Sequence, residues 1–325
     1  MCPVDGKLTT KTNPMRLTFR LLPVVTLAVF TTFTACQKES ASLEMDNTAE
    51  VQTQADDQNN ISAQLDEVAT EANVAFEANA SFSGRFSGSQ NTLSVCGATA
   101  VADTTGNLRT ITITYDGNNC AGTHLRTGSV VLSMPSGMRW KNAGAAITIS
   151  FQNFKIKRLR DNKSITINGA QALTNVSGGL VSQLSAPTNI THTITSNNMS
   201  FTFEDNTQRT WHVARQRTFT YSNGVVLSIS GIGAAGSLTN VAEWGSNRFG
   251  HAFTTSITEP LVVRQDCNFR LTAGKVKHEG FTTSTASFGL NATGAATACP
   301  GTGTYYYTLT WTGQGGYTRT VTLPY

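Results

Sequence analysis

From about Ser81 to Tyr325 apolar and polar residues alternate along the chain. Thr110–Tyr115, Ala146–Phe151, Ile165–Ile167, Val225–Ser230, Tyr305–Trp311 and Arg319–Leu323 interleave β-branched or aromatic side chains with Thr, Ser or Arg. A period of two with such residues suits strands buried on one face and wetted on the other. Asp116-Gly117, Asn168-Gly169 and Asn223-Gly224 separate the runs, and Asx-Gly pairs of this kind mark tight hairpins. Helical crossovers are not evident, so the expected connectivity is an antiparallel meander. The fold class expected is mainly β, with the meander forming a sandwich, a half-open barrel or a long curved sheet, which periodicity does not distinguish. The stretch 81–325, about 245 residues, is within reach of one all-β domain. Gly178-Gly179 and the Ser- and Asn-rich stretch to Asn198 mark a candidate division into two sub-domains near 178–198.

Ahead of the strands the period changes. Ile61, Leu65, Val68, Ala72 and Phe76 recur every three or four residues, which predicts one short amphipathic helix within 59–80, its apolar stripe docked on the β body. Residues 36–58 combine acid, Gln, Ser and Thr with little apolar content, the composition of a disordered tether. Charge divides along the same line. Gln37 to Ala80 carries ten carboxylates against the single Lys38, while Ser81 onward has nineteen Lys and Arg against nine Asp and Glu, so the overall +4 conceals an acidic leader and a basic body. The carboxylates outside the helix stripe are expected to face solvent.

At the N-terminus, Arg16 and Arg20 precede an apolar run from Leu21 to Phe33, then Thr34, Ala35 and Cys36. The arrangement resembles the lipobox of a bacterial lipoprotein signal peptide, with Phe33 where Leu is preferred, and the run is short of the roughly 20 residues that span a bilayer. Residues 1–35 are therefore expected to be a signal peptide, with 1–14 an upstream extension, and Cys36 the acylated N-terminus that anchors the chain in outer-membrane lipid. Gln37-Lys38-Glu39-Ser40 is similar to the lipoprotein export signal of Bacteroidota, which implies display on the cell exterior.

Setting aside Cys2 and Cys36, four cysteines remain: Cys96, Cys120, Cys267 and Cys299. An even number in an exported chain suggests two disulfides, with three pairings open. Pairing of sequence neighbours, Cys96 with Cys120 and Cys267 with Cys299, asks only that adjacent strands of a meander bring them together. A zinc site is disfavoured because none lies in a Cys-x-x-Cys pair. The segments around them, Cys96–Thr104, Arg109–Ile113, Gly117–Gly122 and Arg126–Val130, with Thr255–Val262 and Cys267 later, resemble a family of uncharacterised Bacteroidota surface lipoproteins. That resemblance implies an acidic N-terminal helix, a Thr-rich β body and an envelope address, and carries no activity.

Signals for chemistry are sparse. Gly231-Ile232-Gly233-Ala234-Ala235-Gly236 matches a dinucleotide fingerprint, but without a βαβ unit it reads as a turn or bulge between strands. The five histidines lack metal-ligand spacing, and no nucleophile elbow occurs. Paired carboxylates of a glycosidase need no sequence spacing, so Asp103, Asp116, Asp161, Glu204, Asp205, Glu243, Glu259, Asp266 and Glu279 stay open for that role. The basic cluster Lys155, Lys157, Arg158, Arg160 and Lys163 is the candidate anion site, for a glycan, lipopolysaccharide or the chain's own acidic stalk, against the alternative of a solvated hairpin end. On a strand its lysines and arginines fall on opposite faces. Trp140, Trp211, Trp244, Tyr305, Tyr306, Tyr307 and Trp311 offer sugar-stacking surfaces if exposed.

The expected function is non-catalytic binding of a glycan or envelope protein, with no cofactor, metal or nucleic acid. A structural or adhesive envelope component is the alternative, and a carbohydrate-active enzyme the third reading. Metabolic labelling with a palmitate analogue tests the anchor: the wild-type chain is expected to label and Cys36→Ala to lose the label, whereas equal labelling removes the lipoprotein assignment.

Overall fold

The computed structural model describes residues 39–84, 95–297, 299, 303–313 and 316–325. The segment read as a signal peptide, and Cys36 with it, lies outside the described residues. Residues 39–325 form one compact unit.

The first element corrects the sequence reading. In place of a flexible tether over 36–58 and a short helix over 59–80, a single helix α1 runs Glu39–Ala78. The segment holds no Gly or Pro, and its many Ala, Glu, Gln and Leu residues favour a helix intrinsically. Asn79 ends it by adopting an extended backbone (φ −97°), and its side chain accepts from the Ser81 N–H at 3.0 Å to cap a one-turn helix α2, Ala80–Ser83. Gly84, at φ 78°, closes that turn in the left-handed region. The expected stripe Ile61, Leu65, Val68, Ala72 and Phe76 is buried, joined by Ala69 and Ala75.

Fifteen strands follow: β1 (Ala98–Asp103), β2 (Leu108–Asn118), β3 (His124–Pro135), β4 (Ala145–Arg158), β5 (Ser164–Asn175), β6 (Ile190–Phe203), β7 (Gln208–Tyr221), β8 (Val225–Gly231), β9 (Gly233–Ala235), β10 (Leu238–Ser246), β11 (Ala252–Arg264), β12 (Arg270–Glu279), β13 (Ser284–Leu290), β14 (Tyr306–Thr312) and β15 (Thr318–Pro324). All pair antiparallel in one sheet, ordered β1 to β7, then β10 to β15. The meander is interrupted once. β8 and β10 lie end to end between β7 and β11, each pairing with part of both. The glycine fingerprint sits at this seam, where a Cβ on Gly231 would collide with the Asn240 carbonyl; it is a close backbone approach, as the turn-or-bulge reading expected.

Register shifts in β3–β4, β4–β5, β5–β6 and β6–β7 fall in line across the sheet. Gly128 (φ 93°), Asn153 (φ 50°), Gly169 (φ 112°) and Asn198 (φ 57°) occupy them with left-handed backbone. Bulges bend and twist the strand that carries them, and a row of them on successive strands curves the whole sheet. The curvature wraps the sheet about α1. Its concave face supplies Ile111, Ile113, Val130, Leu132, Ile147, Ile149, Phe154, Ile167, Leu173 and Phe201 to one core with the helix stripe. Farther along the sheet, Tyr307, Leu309 and Trp311 of β14 pack on Val51 and Ala55 near the start of α1, so strands flank the helix on two sides. β1 and β15 are not paired with each other among the described residues. The outcome is a half-open barrel around a helix.

Gly178 to Asn198 is no boundary between sub-domains, because β6 begins within it, at Ile190, and pairs with β5 along most of its length. The Glu77 carboxylate of α1 accepts from the N–H groups of Val181 (2.6 Å) and Ser182 (2.8 Å), stapling that connection to the helix end. Both expected disulfides are present, Cys96–Cys120 and Cys267–Cys299, with Cα atoms 5.1 and 5.4 Å apart.

Phe76 is fully buried, 4.8 Å from the Phe82 ring and 6.1 Å from Trp140. Phe76→Ala is expected to cost about 3–5 kcal/mol in urea unfolding, with loss of protection at the α1 amides. A loss within about 0.5 kcal/mol, the range of ordinary surface changes, would remove the helix from the core.

Candidate ligand groove and the charges around it

The inward side chains of the sheet are not all apolar. Arg126, Arg158, Arg215, Arg217 and Arg248 lie against α1 with at most 10 % of each side chain or residue exposed. A buried guanidinium is costly unless anions and acceptors meet it, and α1 supplies them in a ladder. Arg126 reaches Glu71 at 2.9 Å and Glu67 at 3.4 Å. Arg158 binds Asp56 through two nitrogens, at 2.6 and 2.8 Å, and Arg248 binds Asp57 likewise, at 2.6 and 2.7 Å. Arg215 lies 2.8 Å from Asp66 and also contacts Glu243 of β10. Neutral contacts extend the ladder: Asn73 accepts from Trp140 Nε1 at 2.9 Å, and Gln58 and Ser62 both donate to Glu243 at 2.7 Å.

These contacts correct the expectation that the helix carboxylates face solvent. Burial acts against the ionised form of Asp56, but Arg158 and Lys163 outweigh it and hold its pKa below the ordinary value. For Asp57 and Glu71 burial prevails over Arg248 and Arg126, and both are raised. The hydrogen bonds from Arg158 pull Asp161 down to about 2.

The candidate anion cluster divides, with Arg158 ending β4 and Arg160 and Lys163 in the connection that follows it. Arg158, Arg160 and Lys163 converge on Asp56, at 2.6, 3.3 and 3.2 Å; of the anions considered, the chain's own acidic segment occupies them. Lys155 is exposed and Lys157 half-buried on the alternate positions of β4, away from that junction. Of the aromatic candidates, Trp140, Trp211, Tyr305, Tyr307 and Trp311 are buried, and the half-buried Trp244 stacks on His212 at 5.1 Å. Among the open carboxylates, Asp161, Glu204, Glu243, Glu259, Asp266 and Glu279 each pair with an Arg or Lys, while Asp103 and Asp205 accept from Thr two residues on, in turns.

What sequence reasoning missed is a groove. Between α1 and the wall from β7 to β14 lies a cavity of about 1160 Å³, lined along the helix from Glu50 to Glu77. Its sheet wall is largely apolar, with Phe219, Leu227, Ile229, Ile257, Leu261, Val263, Val276 and Leu309. Phe269 and Phe281 line it at the two ends of β12 and are 64 % and 51 % exposed. Arg215, Arg217 and Glu243 are polar members of its lining. The alternation in β8 was legible as strand, but where a cavity opens beside the helix depends on the curvature. No described helix is long and apolar enough to cross a membrane. Comparison with protein-family models, curated proteins and solved structures finds no match for this chain. The class defined by the coordinates is therefore architectural: an antiparallel half-barrel around a charged helix, with an apolar groove between them.

The buried His192 and the half-buried His124 and His278 give the body a pH dependence. Burial lowers His124 and His278 to about 4 and His192 to about 3. A depressed histidine binds fewer protons folded than unfolded, so its stabilisation is complete above the unfolded value near 6.5 and is lost as pH falls toward the folded value. The raised carboxylates Asp57 and Glu71 act with the opposite sign and soften the slope. His192 lies between Trp140 and Phe219, 5.1 Å from each ring, and neither ring nitrogen has a partner among the described residues. His192→Phe is expected to raise stability, more at pH 5 than at pH 7.5, in urea unfolding at the two pH values. An equal change at both would show that His192 does not titrate on unfolding.

Proposed function

We propose that this chain is a lipid-anchored envelope protein that binds an apolar ligand without catalysis, in the groove between α1 and the β7–β14 wall. One observation carries the reading. The groove, at about 1160 Å³, is larger than the roughly 300–1,000 Å³ of ordinary small-molecule sites, follows the helix for many turns, and is walled by aliphatic side chains of β8, β11 and β12. Apart from Asp116, the carboxylates weighed for acid–base chemistry are held by arginine, lysine or turn partners, which favours binding over catalysis. Acylated Cys36 anchors the chain in outer-membrane lipid, facing the exterior, on the strength of the lipobox, the Lys38-Glu39 signal and the resemblance to Bacteroidota surface lipoproteins. At that address apolar molecules are at hand. Glycan recognition through the basic cluster loses support, because Asp56 already engages Arg158, Arg160 and Lys163.

The test uses the full chain carrying Cys36→Ser, so that no acyl anchor is attached, and the fluorescent probe N-phenyl-1-naphthylamine. Binding with enhanced fluorescence is expected, and Val276→Trp, which fills the groove from β12, is expected to weaken it at least about tenfold, the loss of roughly 1.4 kcal/mol. Absence of binding, or binding indifferent to Val276→Trp, would overturn the groove as the site.

A further inference from the structure

Several polar atoms lining the groove lack a partner among the described residues, those of Gln54, Asp66 and Arg215 included, and Arg217 is the buried cation with the fewest partners. Arg217 of β7 lines it and is fully buried. Its Nη2 donates to Thr70 of α1 at 2.7 Å, and its Nε and Nη1 have no partner among the described residues. The Phe219 ring lies 5.3 Å from the guanidinium carbon. Arg215, two residues earlier on the same face of β7, is answered by Asp66 and Glu243. Asp66 is the anion whose charge acts on Arg217, but its Oδ2 accepts from Arg215 and its Oδ1 has no partner among the described residues. Arg217 is thus a buried cation whose donors outnumber its acceptors, and leaving such donors unmet is expensive in a folded interior.

The missing group is defined by chemistry. A planar guanidinium with free N–H groups matches a carboxylate, which it binds through two parallel hydrogen bonds. Around Arg217 the wall is apolar, with Leu227, Ile229, Ala242, Ile257 and Val276. The groove also follows β12 from Phe269 to Phe281, a ten-residue strand of roughly 33 Å at the usual rise, long enough for an extended acyl chain. We propose that the ligand is a long-chain fatty acid, its carboxylate held by Arg217 and its chain lying along Leu227, Ile229, Ile257 and Val276. The assignment rests on the groove being an apolar-ligand site and adds the head-group. A single acid suits it better than a diacyl phospholipid, because among the described residues Arg217 bonds only the Thr70 hydroxyl while its neighbour Arg215 already has two carboxylates. Thr70, exposed on α1, is the side chain that yields its hydrogen bond as the carboxylate arrives.

The experiment measures 11-(dansylamino)undecanoic acid and its methyl ester against the full chain with Cys36→Ser, and then against Arg217→Met and Arg217→Lys in that background. The acid is expected to bind at least about tenfold more tightly than the ester, as a charge-assisted hydrogen bond implies, and unlabelled palmitate is expected to displace it. Arg217→Met is expected to abolish the acid's advantage while keeping ester affinity, which also shows that the variant is folded. Arg217→Lys is expected to retain part of it. Equal binding of acid and ester by the parent chain, or an acid preference that survives Arg217→Met, would overturn the carboxylate assignment and leave the apolar groove standing. Failure of both probes to bind would overturn the groove reading itself.

Discussion

The structure depends on a matched burial of opposite charges. Four strand arginines and Arg248 of the β10–β11 turn lie against α1, where an unanswered guanidinium would cost several kcal/mol. The helix carries carboxylates at the heights where the arginines stand: Asp56 for Arg158, Asp57 for Arg248, Asp66 for Arg215, Glu71 for Arg126. Each surface is a poor interior alone. Together they make a core that is apolar on one side of α1 and ionic on the other, which fixes the helix in rotation and in height as hydrophobic packing alone would not.

That constraint explains which parts of the architecture were legible in the sequence. The strand alternation, the Asn223-Gly224 turn, the stripe from Ile61 to Phe76 and the neighbour pairing of cysteines are local signals that the structure carries, whereas Asp116-Gly117 and Asn168-Gly169, expected as hairpin turns, lie inside β2 and β5, the second of them at a bulge. The first half of α1 was not legible, because its partners are remote. Asp57 meets Arg248 across 191 residues and Asp56 meets Arg158 across 102, so in isolation the segment has the composition of a disordered tether. The split of charge between acidic leader and basic body was visible, and its meaning was complementarity inside one unit. The groove was hidden for a related reason. Leu227 and Ile257 are buried strand residues, 8 % and 4 % exposed, and only the helix position shows that they border a cavity.

The bulge row ties these features together. A flat sheet would present β2–β7 to the helix and leave β10–β15 far from it. Bending along Gly128, Asn153, Gly169 and Asn198 brings β14 round to Val51 and Ala55. The sheet thus meets α1 twice, and the space that the helix does not fill between those meetings is the groove. Its width follows from the curvature as much as from any side chain in its wall.

The long helix also has a consequence for the order in which the chain becomes structured. α1 precedes every strand, yet its polar face is completed by residues such as Glu243, Arg248 and Thr255, the last of them 197 positions beyond the Gln58 side chain that binds it. A helix with so few apolar residues in its first half holds little structure by itself in water. It must wait, half-formed, until most of the meander has been laid down, and closure then joins the earliest segment to some of the latest. Such non-local closure makes folding slow. Until the last strands arrive, acids and arginines alike remain in water, and the chain stays pliable.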